Sequence, residues 1–88
     1  MITARDEPKR KANIERHGLD FADLERFDWE AAVVRAAKDG RDGRKRGMAI
    51  GALEGRVVLV IFAALGSEAV SIISMRPASR KERRLQNG

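Results

Sequence analysis

Three apolar runs follow one another in the second half of the chain: Gly47 to Leu53, Arg56 to Ala63 and Glu68 to Met75. Each has the length of one strand and is bounded by turn residues. Glu54-Gly55 makes a two-residue hairpin between the first two, and Ala64-Leu65-Gly66-Ser67 makes a slightly longer turn before the third. Links this short force antiparallel neighbours. The middle run is apolar on both faces, which predicts a central strand covered by helices on at least one side. A fourth strand is predicted from Ala31 to Val34, with a weaker continuation from Arg35 to Ala37.

Upstream the pattern is helical and poorer in apolar residues. Ile2 to Ala4 has the length of a short strand. Asp6 suits a helix cap, Pro8 a first turn and Gly18 a left-handed end, so a helix is predicted from Glu7 to His17. Ala12 and Ile14 are its only core-facing residues on this reading, while Lys9, Asn13, Arg16 and His17 form a polar stripe at helical spacing. That stripe is either plain solvent surface or one wall of a polar site. Asp20 caps a second short helix whose Phe21, Leu24 and Phe27 face inward. At the other end a strand is predicted to stop at Arg76 and a helix to start at Pro77, because proline suits a first helical turn and keeps the residue before it extended. In that helix Arg80, Arg83 and Arg84 share one face, and Ala78 and Leu85 pack inward. The outline is α+β in a single domain over residues 1–88: an optional N-terminal strand, two helices, a four-stranded antiparallel sheet and a C-terminal helix.

Charge gives this outline a direction. The 88 residues are 35% charged with a net charge of +5, which points to an acidic partner. The balance is −2 over residues 1–34, +3 over residues 35–74 and +4 over residues 75–88, so the positive surface comes from the second half. The segment from Lys38 to Arg46 holds two glycines and seven charges and predicts an exposed loop. No cysteine and a single histidine, His17, leave no disulfide framework, thiolate metal site or histidine cluster, so no metal and no cofactor are expected. No signal peptide opens the sequence, and the longest apolar run, Val57 to Leu65, is far short of a membrane span. A cytoplasmic protein without membrane contacts is the expectation.

The remaining chemistry is polyanion binding. The aromatic residues are Phe21, Phe27, Trp29 and Phe62, and the phenylalanines are needed for the core, so base-stacking platforms are poorly supported. Contacts would fall mostly on phosphates. A basic cleft that grips RNA can also cut it by letting a 2′-hydroxyl attack the adjacent phosphate while cations stabilise the oxyanion. For proton transfer the sequence offers His17, a carboxylate such as Glu82, or a lysine or arginine acting with water, and Ser71, Ser74 and Ser79 are candidate spatial neighbours of His17. The bland alternatives are that His17 closes a helix and that the C-terminal arginines form a solvated face.

Two separated motifs carry a resemblance. Asp6-Glu7-Pro8-Lys9 through Asn13-Ile14-Glu15-Arg16-His17-Gly18 to Phe21, and Ile72-Ile73-Ser74-Met75-Arg76-Pro77-Ala78 with Glu82-Arg83, together resemble the opening and closing signatures of the BrnT toxin family. The resemblance implies a RelE-like ribonuclease fold and a toxin that cleaves RNA and arrests translation. It also implies a BrnA-type antitoxin that binds the toxin in a hetero-oligomer and alone supplies contact with DNA. The family's polar signature falls on Lys9, Asn13, Arg16, His17, Arg76, Glu82 and Arg83. Arg5 stands where the family commonly has tryptophan, Arg16 where lysine is common, Pro77 where a basic residue is common, and Leu85 near a frequent tyrosine.

The resulting expectation is metal-independent RNA cleavage with Arg76, Arg80, His17 and Lys9 in the chemistry and Arg83, Arg84, Arg16 and Arg46 holding the RNA. Arg76 leads, since it leaves the end of a strand where the last helix begins. The competing reading is a non-catalytic basic module that binds RNA or DNA, or an inactive toxin serving only as its antitoxin's partner.

Overall fold

The computed structural model describes residues 2–4, 6–38, 45–65, 67 and 69–87. Strand β1 (Ile2–Ala4) leads to helix α1 (Glu7–His17), a 3₁₀ helix at Phe21–Arg26, strands β2 (Val33–Ala37), β3 (Arg46–Leu53), β4 (Arg56–Leu65) and β5 (Ala69–Pro77), and helix α2 (Arg80–Asn87). The five strands form one sheet in the order β1-β5-β4-β3-β2. β2 to β5 are antiparallel neighbours, and β1 joins β5 in parallel through Ile2↔Ala69 to Ala4↔Ser71. β4 is the central strand, as its two apolar faces require. The second N-terminal helix is of the tighter 3₁₀ kind, and β2 begins two residues later than its apolar run, after Asp28 accepts the Ala31 N–H. Arg5 and most of the glycine-rich loop, residues 39–44, lie outside the described residues.

Cα partners across an antiparallel ladder share a face, so the register sorts the sheet into two sides. One side carries Ala49 and Leu53 of β3, Val58 and Val60 of β4, and Ile72 and Met75 of β5, and is closed by Leu19, Phe21, Leu24 and Phe27. Trp29 stands edge-on between the rings of Phe27 and Phe62. β3 is glycine at Gly47 and Gly51 because these rings lie directly on it: a Cβ on Gly47 would meet Phe62 at 2.6 Å, and one on Gly51 would meet Phe27 at 2.8 Å. The other side carries Ile50 and Leu59, covered by Ala78, with Met48, Val57 and Ile61 packed against them. α2 lies against β3.

The C-terminal junction differs from the sequence expectation. β5 continues through Arg76 and Pro77, which pair with Leu59 and Val58, and α2 starts only at Arg80. Ser79 sets this start: its Oγ accepts the Glu82 N–H at 3.2 Å, and the Glu82 carboxylate accepts the Ser79 N–H at 2.8 Å. Proline is tolerated at Pro77 because it ends the strand. Ala78 is buried as expected, whereas Leu85 is 45% exposed.

Candidate functional site

α1 is capped as its sequence predicts. Asp6 accepts the Lys9 N–H, and Gly18, at φ 70, returns its N–H to Ile14 at 2.8 Å. Its orientation, however, inverts the apolar rule. Ala12 and Ile14 are exposed, and the buried residue is Asn13, at 5% exposure. β1 covers only the first three residues of the outer edge of β5, so among the described residues the edge beyond Ser71 has no strand beside it. Asn13 fills that role for one backbone group. Its Oδ1 accepts the Met75 N–H at 3.0 Å, and its Nδ2 donates to the Leu19 carbonyl at 2.9 Å. A polar residue is buried here because an unpaired strand N–H would otherwise be.

The stripe centred on Asn13 thus lies along β5, with Asn13 buried, His17 half-buried and Lys9 and Arg16 still exposed. Between them lies an open cleft of about 140 Å³ lined by Lys9, Ala12, Asn13, Arg16 and His17 of α1 and by Ile73 and Ser74 of β5. The floor is shaped by a bulge: Ile61 pairs with Ser74 and Phe62 with Ile72, which leaves Ile73 without a partner on β4. Such an extra residue bends the strand and re-aims its side chains. Neither the bulge nor the burial of Asn13 has a signal in the apolar pattern.

The charges of α1 divide sharply. Arg10 is tied to Asp20 through Nε and Nη2, at 2.7 and 2.8 Å, and to Glu7 through Nη1 at 3.1 Å. These contacts raise its already high pKa, chiefly through the Asp20 hydrogen bonds, and fasten α1 to the next segment. Lys9, Arg16 and His17 make no side-chain ion pair among the described residues. The cleft therefore concentrates uncompensated basic side chains beside a hydroxyl, that of Ser74. Arg16 and His17 also sit in the last turn of α1, where the helix dipole favours cations.

Arg76 is two residues beyond Ser74 on β5, on the same face and roughly 7 Å along the strand. Its guanidinium grips Glu82 end-on, with Nη1 and Nη2 each 2.8 Å from a carboxylate oxygen, and Nη1 also donates to the Pro77 carbonyl at 3.2 Å. The Arg76 hydrogen bonds hold the Glu82 carboxyl down to about 2 against the opposing effect of burial, with help from Ser79. Glu82 is consequently ionised, with its oxygens engaged by Arg76 and Ser79, which makes it a weak proton acceptor near neutral pH.

The other predicted residues are distributed more widely. Arg80, Arg83 and Arg84 are exposed on α2, and like Arg76 they lie outside the cleft-lining set. Arg46 opens β3 on the α2 side of the sheet, and its buried Nε has no hydrogen-bond partner among the described residues. Ser74 shares the cleft with His17, whereas Ser79 caps α2 and Ser71 pairs with β1. The start of α2 was readable in the Ser79-x-x-Glu82 spacing. Among the described residues no three His, Cys, Asp or Glu side chains gather as a metal site, and no helix is long and apolar enough to cross a membrane.

Comparison with known proteins places this geometry in context. Residues 6–82 match the family model described as the ribonuclease toxin, BrnT, of type II toxin-antitoxin systems. The structure is similar to the 1.1 Å crystal structure of the Brucella abortus ribonuclease toxin BrnT, with a TM-score of 0.68 and 44% identity over 91% of this chain and 100% of that one. Among the curated proteins no match is found.

Proposed function

The chain belongs to the BrnT family of ribonuclease toxins of type II toxin-antitoxin systems, and from that premise we propose that it cuts RNA at the cleft between α1 and β5, using the RNA's own 2′-hydroxyl as nucleophile. The observation that carries this reading is the orientation of α1, which sets Lys9, Arg16 and His17 along a cleft against β5 with no carboxylate ion pair among the described residues.

Lys9 and Arg16 draw the phosphate in, and Arg76 stabilises the charge that builds on the phosphoryl oxygens during attack. His17, the single imidazole of the chain, moves the proton. The 2′-oxygen bonds to phosphorus, the bond to the 5′-oxygen breaks, the 2′-hydroxyl proton leaves through His17, and a proton returns to the 5′-oxygen. The ends produced are a 2′,3′-cyclic phosphate and a 5′-hydroxyl, and neither metal nor water enters the step. Arg80, Arg83 and Arg84 hold the RNA backbone from the exposed face of α2, and the half-buried Arg46 at the start of β3 adds a further cation. Four consecutive antiparallel strands with an α-helix packed at the β5 edge and another against β3 support grouping the fold with RelE-like ribonucleases. In the cell the substrate is messenger RNA in the cytoplasm, and its loss arrests translation. An antitoxin of the BrnA type neutralises the chain in a hetero-oligomer and alone contacts DNA.

Expression of the chain without its antitoxin tests this. Growth stops and RNA is degraded, and Arg76→Ala relieves both while the purified variant still folds, with wild-type circular dichroism and a cooperative melting transition. Normal growth with intact RNA, together with binding of RNA in a gel shift, would favour the non-catalytic module instead.

A further inference from the structure

Among the described residues three arginines make side-chain ion pairs with carboxylates, and they do so in two different ways. A guanidinium has two edges that form paired donors: the end-on edge of Nη1 and Nη2, and the side-on edge of Nε and Nη2. Arg10 gives its side-on edge to Asp20 and its remaining nitrogen to Glu7. Arg26 likewise commits Nε to Glu54 and Nη2 to Asp23. In both, Nε is taken by a carboxylate and a second carboxylate holds another nitrogen, so neither offers its side-on edge to a ligand.

Arg76 is the reverse case. One carboxylate, Glu82, takes the end-on edge, Pro77 takes the second Nη1 hydrogen, and the Nε–H with the outer Nη2–H has no partner among the described residues. Glu82 is itself immobilised, because the Ser79 N–H binds the oxygen that also accepts from Arg76. The chain Ser79, Glu82, Arg76 therefore fixes the rotamer of a guanidinium and leaves one complete donor fork unused. The side chain of Arg76 is 39% exposed, so a ligand can reach that fork, whereas Glu82 at 18% is largely enclosed.

We propose that Glu82 is a positioning residue: it acts through Arg76, holding the guanidinium so that its Nε and Nη2 hydrogens form a ready fork for two oxygens of a phosphate. This rests on the reading of Arg76 as the group that stabilises the reacting phosphate. A floppy arginine must be ordered during the reaction, whereas one already clamped on its opposite edge is not. The clamp also has a cost, since the carboxylate offsets part of the positive charge that attracts substrate. Glu82 should therefore raise turnover without tightening binding, and that separates it from a group that only holds the fold.

Steady-state cleavage of an oligoribonucleotide spanning a site that the wild-type chain cuts provides the test. Glu82→Gln keeps one acceptor oxygen but turns an amide toward Arg76. It is expected to lower kcat about tenfold with KM unchanged or reduced. Arg76→Ala should abolish cleavage, and adding Glu82→Gln to it should change nothing further. Ser79→Ala removes the hydroxyl cap of α2 but leaves the Arg76–Glu82 fork, so it should lower the melting temperature and preserve kcat. Wild-type kcat in Glu82→Gln would overturn the proposal, as would an equal loss of kcat in Ser79→Ala, which would assign the effect to anchoring of α2. Full activity in Arg76→Ala would instead overturn the underlying reading of the site.

Discussion

The side chain of Asn13 accepts the backbone N–H of Met75, 62 positions away, at 3.0 Å. This one bond joins α1 to the open edge of β5, and the cleft forms on either side of it. The same side chain donates to Leu19, so truncation strands two buried backbone groups at once. Each costs on the order of 1–3 kcal/mol when unsatisfied. Asn13→Ala is therefore expected to lower the free energy of unfolding by about 3 kcal/mol in urea titrations. Asn13→Asp should also destabilise, because it keeps the acceptor for Met75 but sets a carboxylate against the Leu19 carbonyl. Retention of wild-type stability by both variants would show that α1 is held mainly by the Arg10–Asp20 pair.

The Arg76–Glu82 pair gives stability a signature in acid. The Glu82 carboxyl sits at about 2 in the folded chain against an ordinary 4.5, so the folded state binds its proton less readily than the unfolded state does. The stabilisation is present above the ordinary value and disappears as pH falls through about 2. Wild type should exceed Glu82→Gln in unfolding free energy at neutral pH, and the gap should close between about pH 5 and pH 2. A gap independent of pH would mean that shape, and not charge, accounts for the effect of the substitution.

The arginines of α2 should act on affinity through salt. Arg80, Arg83 and Arg84 stand exposed, and each phosphate contact made to a single strand contributes a slope of about −0.7 in log affinity against log salt. Replacing all three with glutamine should flatten that slope by about 2 for a 2′-O-methyl oligoribonucleotide, which binds without being cut. An unchanged slope would remove α2 from the RNA path and leave its charge for the antitoxin.

The fold was largely legible because its elements carry local signals. Asp6, Pro8 and Gly18 bracket α1 to the residue, Glu54-Gly55 sets the β3–β4 hairpin, and the two-sided apolar run of Arg56 to Ala63 puts β4 in the middle. What misled was the assumption that a helix buries its apolar residues. α1 packs against a strand edge, where hydrogen bonding outranks apolar contact, so Asn13 goes in and Ile14 stays out. The same logic explains Pro77: its fixed φ suits a strand end as well as a helix start, and the reciprocal cap of Ser79 and Glu82 decides between them. Of the candidate site, the helical spacing of Lys9, Arg16 and His17 was visible in the sequence. Ile73 was not, since a bulge depends on pairing with β4 that no local pattern records.

The most direct test of the central claim is the chemistry of the ends made when the purified chain cuts RNA in excess chelator. Attack by the 2′-hydroxyl at the α1–β5 cleft predicts a 2′,3′-cyclic phosphate on one side of the cut and a 5′-hydroxyl on the other, with no such ends made by His17→Ala or Arg76→Ala. Ends bearing a 5′-phosphate, or cleavage that appears only when a divalent metal is restored, would contradict it.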